Sequence, residues 1–168
     1  MKKFTVLLLL SNILLFSNKS VAQNNTNDQK YIYKKGDYNG IGKWYMDREI
    51  AYVMGYEGIG WLERSEREKE ENVSKLIQNM GIKPNDTIAD IGAGSGYHVF
   101  RMAPIAKKGM VYAVDIQPEM LMAIENSKET SKIKNIETIL SSEKSVYLSK
   151  NSVDKILMVD VYHEFSFP

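Results

Sequence analysis

From residue 87 onward the apolar positions of this chain alternate between short continuous runs and stretches of helical period. Residues 87–91, 110–114, 136–140 and 153–161 read as strands. Residues 95–103 and 118–130 read as helices, with Pro118 suited to a first helical turn, where its missing amide proton costs nothing. The run 156–159 is apolar without a break, the pattern of a strand covered on both faces in a parallel sheet. Strand alternating with helix predicts an α/β fold with an open, doubly wound, Rossmann-like parallel sheet. In such a sheet the first strand is central, the second and third lie to one side and the fourth returns to the other. The carboxyl ends of the first, second and fourth strands then meet around one crevice, where ligands bind.

Upstream the period is helical. Val73, Leu76, Ile77 and Met80 recur on one face, Gly81 stands where a C-terminal cap belongs, and Pro84 follows. Ser65-Glu66-Arg67-Glu68 fits a capping box, so a helix is expected to start there and run on through this face. The charged run 63–71 then reads as a solvated helix face. Residues 31–61 are rich in aromatics and glycine, with a further helix expected at about 47–54. Segment 41–84 is thus a helical amino-terminal extension, which either packs its rings against the domain or acts as a lid over a site.

The first 22 residues change the picture of where the protein works. Lys2 and Lys3, the apolar run 4–16 and Ser20-Val21-Ala22 form the n-region, h-region and cleavage site of a secretory leader, giving a mature start near Gln23 and a periplasmic or secreted protein. The apolar run is too short to span a bilayer and is interrupted by Ser11 and Asn12, so no stable membrane anchor is expected. Removing Lys2, Lys3 and Lys19 with the leader leaves 19 basic against 21 acidic residues and takes the formal net charge from +1 to −2, a balance that does not suggest a nucleic-acid surface. The chain has no cysteine, which excludes disulfides, thiol nucleophiles and thiolate metal sites, and no metal centre is expected. Residues 23–40 read as a flexible lead-in and 85–168 as the domain proper.

Candidate chemistry concentrates after the first strand. Asp90-Ile91-Gly92-Ala93-Gly94-Ser95-Gly96 joins a strand to a helix, and Asp115 ends the next strand. Glycines let backbone approach a ligand closely, and a carboxylate at a second strand tip accepts hydrogen bonds from ribose hydroxyls. A dinucleotide fingerprint requires a third glycine at the position held by Tyr97, so a nicotinamide-dependent oxidoreductase is disfavoured. Asp90 with Gly92, Gly94 and Gly96 resembles motif I of the class I S-adenosylmethionine-dependent methyltransferases, and Asp115 resembles their ribose-binding acid. Segment 41–50 with Trp61-Leu62-Glu63-Arg64 resembles the amino-terminal part of a bacterial, often exported, methyltransferase-domain family. Segment 158–165 resembles its motif after the fourth strand.

The resemblance implies S-adenosylmethionine as cofactor, held by Asp90, Gly92, Ala93, Gly94, Gly96, Asp115, Ile116, Glu143 and Asp160, with Glu143 near the adenine amino group. Ser141 and Lys144 depart from the family's pattern beside Glu143, and His98, where an apolar residue is usual, reads as an ordinary satisfied or exposed helix residue. Asp160, Tyr162, His163 and Glu164 cluster at the fourth strand tip; His163 is the candidate base, with Tyr162 and Asp160 beside it. The methyl acceptor is unidentified. Class I methyltransferases have seven strands, whereas four are legible here, so the fourth is expected to present an open apolar edge that awaits further carboxyl-terminal strands or self-associates. On that reading the chain is the amino-terminal part of a longer enzyme, an inactive or incomplete fragment as it stands. The alternative is an exported, noncatalytic binding module or degenerate remnant.

Overall fold

The computed structural model describes residues 30–168, so the expected leader 1–22 and residues 23–29 of the lead-in lie outside the described residues. The amino-terminal extension begins as a sheet. Strands β1 (Ile32–Tyr33), β2 (Gly40–Tyr45) and β3 (Arg48–Ala51) pair antiparallel in the order β1-β2-β3. This corrects two expectations: β1 occupies part of the supposed lead-in, and β3 replaces the helix expected at 47–54. The reason is the turn. Met46 and Asp47 both adopt left-handed φ, 48° and 62°, which lets Tyr45 pair with Arg48 across a two-residue loop whose twist suits a hairpin. The Glu49 carboxylate closes the preceding loop by accepting the amides of Asp37 (2.7 Å) and Gly42 (2.9 Å).

Three short helices follow: α1 (Ile59–Leu62), α2 (Arg67–Glu71) and α3 (Val73–Asn79). The single helix expected from Ser65 is divided at Asn72, which takes φ 54°. The capping box does not close, because α2 starts without a side-chain cap and the Glu68 carboxylate instead accepts the Ser74 amide (3.1 Å) across the break. Nor is 63–71 uniformly solvated. Arg67 is buried, its Nε donating to Glu71 (2.8 Å) and one Nη to the Leu62 carbonyl (2.9 Å).

The second sheet is parallel and carries the main core. Its strands are β4 (Thr87–Ile91), β5 (Met110–Asp115), β6 (Ile136–Leu140) and β7 (Lys155–Leu157), in the order β6-β5-β4-β7, as the strand-helix rhythm predicts. Between them lie α4 (Val99–Met102) and α5 (Pro118–Ser131). Ile88, Val111 and Val114 are fully buried, each contributing about 1.5–3 kcal/mol by leaving water. The first helix is shorter than expected because Gly94 and Gly96, at φ 53° and 85°, belong to turns. The fourth strand is shorter too: among the described residues it pairs only with β4, and Asp160 at φ 50° ends any extended run. Continuous burial of 156–159 does not hold, since Leu157 is buried while Ile156 and Met158 are 58% and 50% exposed.

Candidate cofactor site

The carboxyl ends of β4, β5 and β7 open into a cleft of about 660 Å³. Its floor is the loop that leaves β4. The amides of Gly92 and Ala93 both donate to the Val114 carbonyl (2.8 and 3.0 Å), which ties the loop to the neighbouring strand. Gly92 has φ 73°, and a Cβ there would stand 2.2 Å from Val161 Cγ2; at Gly94 it would stand 2.9 Å from Leu62 Cδ1. Gly92 is thus held to glycine by both its φ and Val161, while at Gly94, φ 53°, a side chain would have to displace the end of Leu62. Gly96 does not line the cleft, and its missing Cβ instead makes room for Ile124 and Phe100 behind the loop.

Asp115, at the tip of β5, is buried and holds two turns at once. Its Oδ2 accepts the Gly94 amide (2.8 Å) and its Oδ1 the Gln117 amide (2.9 Å). Asp90, at the tip of β4, is the opposite case. It lines the cleft, is 2% exposed, and its Oδ2 has no hydrogen-bond partner among the described residues. Burial first, then the charge of Asp115, pushes its carboxyl up to about 8, with Arg67 pulling the other way. On the far side, the Ser141 amide donates to the Asp115 carbonyl (2.8 Å), which brings Glu143 to the rim, with Ile116 beside it in the lining.

Beyond β7 a 3₁₀ turn, Tyr162–Glu164, carries the expected acid-base cluster. Asp160, His163 and Glu164 line the cleft. Tyr162 does not: it is half exposed and meets Phe165 edge-on at 5.7 Å. His163 Nε2 stands 3.8 Å from Glu164 Oε1. Burial raises the Glu164 carboxyl above its ordinary range, with Asp115 and Asp160 adding to the rise and the Met54 amide opposing it.

The amino-terminal extension lies against this crevice. Gln117 donates from Nε2 to the Met54 carbonyl (2.9 Å) and accepts the Tyr56 amide at Oε1 (2.9 Å), while Glu164 accepts the Met54 amide (3.2 Å). Val53, Met54, Trp61 and Leu62 are thereby part of the lining. Aromatic packing serves the same docking at the other end of the extension, where buried Lys43 sits 4.1 Å from the Tyr31 ring and 3.8 Å from that of Phe167. Sequence reasoning missed Gln117 and Arg67 as cleft residues; Arg67 was hidden in a charged run. His98 is corrected as well, for it is neither exposed nor satisfied: it is buried in the cleft wall, and its Nε2 has no partner among the described residues.

A model of the methyltransferase domain matches residues 82–168, just over half of the chain, and contains this loop, Asp115 and the β7 tip. The chain belongs to this methyltransferase-domain family. Its parallel sheet is that of the class I S-adenosylmethionine-dependent methyltransferases, and a protein of known structure from Aquifex aeolicus, described as a SAM dependent methyltransferase, is 30% identical with a TM-score of 0.65, covering 69% of this chain and 62% of that one. A Methanosarcina mazei protein named as a probable cobalt-precorrin-6B C(15)-methyltransferase (decarboxylating) is 28% identical over 88 residues, 52% of this chain and 48% of its own length. A Methanocaldococcus jannaschii tRNA(Phe) (4-demethylwyosine(37)-C(7)) aminocarboxypropyltransferase is 25% identical over 158 residues, 92% of this chain and 58% of its own. The chain spans about half the length of the curated relatives it matches.

Proposed function

We propose that this protein binds S-adenosylmethionine in the cleft and transfers its methyl group to an acceptor still to be identified. The observation that carries the reading is the Gly94–Asp115 bond, which joins a glycine-rich loop to a carboxylate at the neighbouring strand tip, within a methyltransferase domain. The residues fit the cofactor: Asp115 would accept from ribose hydroxyls, Gly92, Ala93 and Gly94 would admit backbone contact, and Ile116 with Glu143 would flank the base. Asp90 offers a carboxyl oxygen with no partner among the described residues, and Asp160 closes the cleft from beyond β7.

When bound, the sulfonium supplies a methyl activated for in-line displacement. The chain's task is to align an acceptor and exclude water. Val53, Met54 and Trp61 close one side of the cleft with apolar surface. His163, which lines the cleft with a basic ring nitrogen, is the group suited to take a proton from an acceptor. Tyr162, outside the lining, would act by shaping the turn that presents His163.

Calorimetric titration with S-adenosylmethionine tests the cofactor assignment. Asp115→Ala and Gly94→Val should each weaken binding about tenfold or more, the first by removing the ribose acceptor and the second by filling the approach. Unchanged affinity in both variants overturns it. Weak or absent binding by the unmutated chain favours a noncatalytic module, and binding of a nicotinamide dinucleotide in its place favours an oxidoreductase. We further propose that the protein is exported after cleavage near Ala22, a reading supported by the lysine-flanked apolar leader. The outer edge of β7 is the surface at which additional strands or a second copy would pair.

A further inference from the structure

One wall of the cleft is tied down at its ends and only lightly between them. Ile50 and Leu62 are buried, but no residue from 51 to 61 is. Val53, Met54 and Trp61 line the cleft, yet Val53 and Trp61 remain 45% and 52% exposed. Among the described residues, three hydrogen bonds join 53–61 to the domain: Gln117 Nε2 donates to the Met54 carbonyl, Gln117 Oε1 accepts the Tyr56 amide, and Glu164 Oε1 accepts the Met54 amide. A segment with so little buried surface, held by partly exposed hydrogen bonds, belongs to the readily opening part of a fold.

Gln117 stands at the N-cap of α5 in extended backbone, φ −101° and ψ 116°, where Ser, Thr, Asp or Asn would fold back onto the first helical amides. Its side chain does not cap the helix. Instead it crosses to the extension, 61 and 63 residues away in sequence. Its own amide is held by Asp115 Oδ1, while Asp115 Oδ2 holds the Gly94 amide. On the other side, the Glu164 oxygen that takes the Met54 amide also faces His163 Nε2 at 3.8 Å. Met54 is therefore the middle of one series of contacts that runs from the glycine loop, through Asp115 and Gln117, to the turn that carries His163.

We propose that residues 53–61 are a lid over the cleft and that Gln117 is the positioning residue that latches it, with Glu164 as the second catch. The inference rests on the S-adenosylmethionine reading. The lid opens to admit the cofactor and closes against it, because Val53 and Trp61 can give up their contact with water to a ligand only when the lid is down. A ligand shifts such an equilibrium through contacts that differ between the two states, and these are such contacts. The same closure fixes the Glu164 carboxylate beside His163, which joins cofactor capture to the arrangement of the acceptor side.

The test is amide hydrogen exchange of the full chain, free and with S-adenosylhomocysteine, read by mass spectrometry over 53–61 and over β4, β5 and β6. In the unmutated protein, S-adenosylhomocysteine should slow exchange in 53–61 about tenfold or more, the scale of one or two net hydrogen bonds. Gln117→Asn is the decisive variant, because the shorter amide cannot span to Met54 but suits the N-cap of α5. In the free protein it should speed exchange in 53–61 about tenfold, leave β4, β5 and β6 unchanged, and leave the thermal midpoint equal or higher. Dissociation of S-adenosylhomocysteine should quicken by a similar factor. Glu164→Ala should have the same local effect on 53–61. Unchanged exchange there in both variants overturns the latch. Faster exchange throughout Gln117→Asn, with a lowered midpoint, overturns it as well, because Gln117 would then act through the fold. Binding of S-adenosylhomocysteine that leaves 53–61 unprotected overturns the lid while the cofactor reading stands. Failure of the unmutated protein to bind it overturns the cofactor reading, and exchange in the free variants still decides the latch.

Discussion

Replacing Asp90 with asparagine should stabilise the ligand-free protein, and increasingly so as pH rises. In the unfolded chain this carboxyl ionises near its ordinary 3.8; in the fold, burial and Asp115 hold its proton until about 8. Folding therefore takes up a proton between those values. Stability owed to this group is fully present below about 4 and is lost progressively as pH rises to 8, at about 1.4 kcal/mol per pH unit. The upper limit of the loss is about 6 kcal/mol, and water entering the cleft reduces it. Asparagine keeps the shape and cannot ionise. Urea unfolding at pH 5, 6, 7 and 8 should show the variant's advantage growing by about 1 kcal/mol or less per unit and levelling above 8. His98, pushed down to about 4, contributes stability that is lost as pH falls below 6.5, but it does so in both proteins and cancels in the difference. Parallel stability profiles, or an advantage that shrinks with pH, would refute the account of Asp90 as a buried, unpaired acid.

Gly92→Ala should destabilise the fold by at least about 1 kcal/mol from its left-handed φ alone, and more from the collision with Val161; an unchanged urea midpoint would contradict the tight loop. Met158→Lys, one residue beyond β7, whose outer edge is unpaired among the described residues, should reduce self-association measured by sedimentation without raising cofactor affinity, because charge blunts a strand edge but rebuilds no crevice. Persistent self-association in that variant would place the interface elsewhere. Protein recovered from the cell envelope should begin at or near Gln23 by amino-terminal sequencing, and retention of residues 1–22 on cytoplasmic protein would contradict export.

Strands 87–91, 110–115 and 136–140, the β6-β5-β4-β7 order and the glycine loop are legible in the sequence because each depends on neighbours within a few residues: apolar runs, a proline at a helix start, glycines at left-handed turns. Asp115 is legible for the same reason, as the acid that ends a recognisable strand. The β2–β3 hairpin is not, since Met46-Asp47 lacks the glycine that usually announces such a turn and its left-handed geometry is imposed by strand pairing. The cleft's character is decided still further away. Gln117 meets Met54 and Tyr56 across 63 and 61 residues, and Glu164 meets Met54 across 110. A charged run shows that Arg67 exists but not that Tyr97 and Leu62 will bury it, and a lone histidine in a helical stretch does not reveal that its Nε2 will be left without a partner. Local periodicity determined the scaffold and the position of the cofactor loop. Burial and unmet hydrogen-bonding capacity, which exist only once distant segments are packed together, decided which polar residues face the cleft.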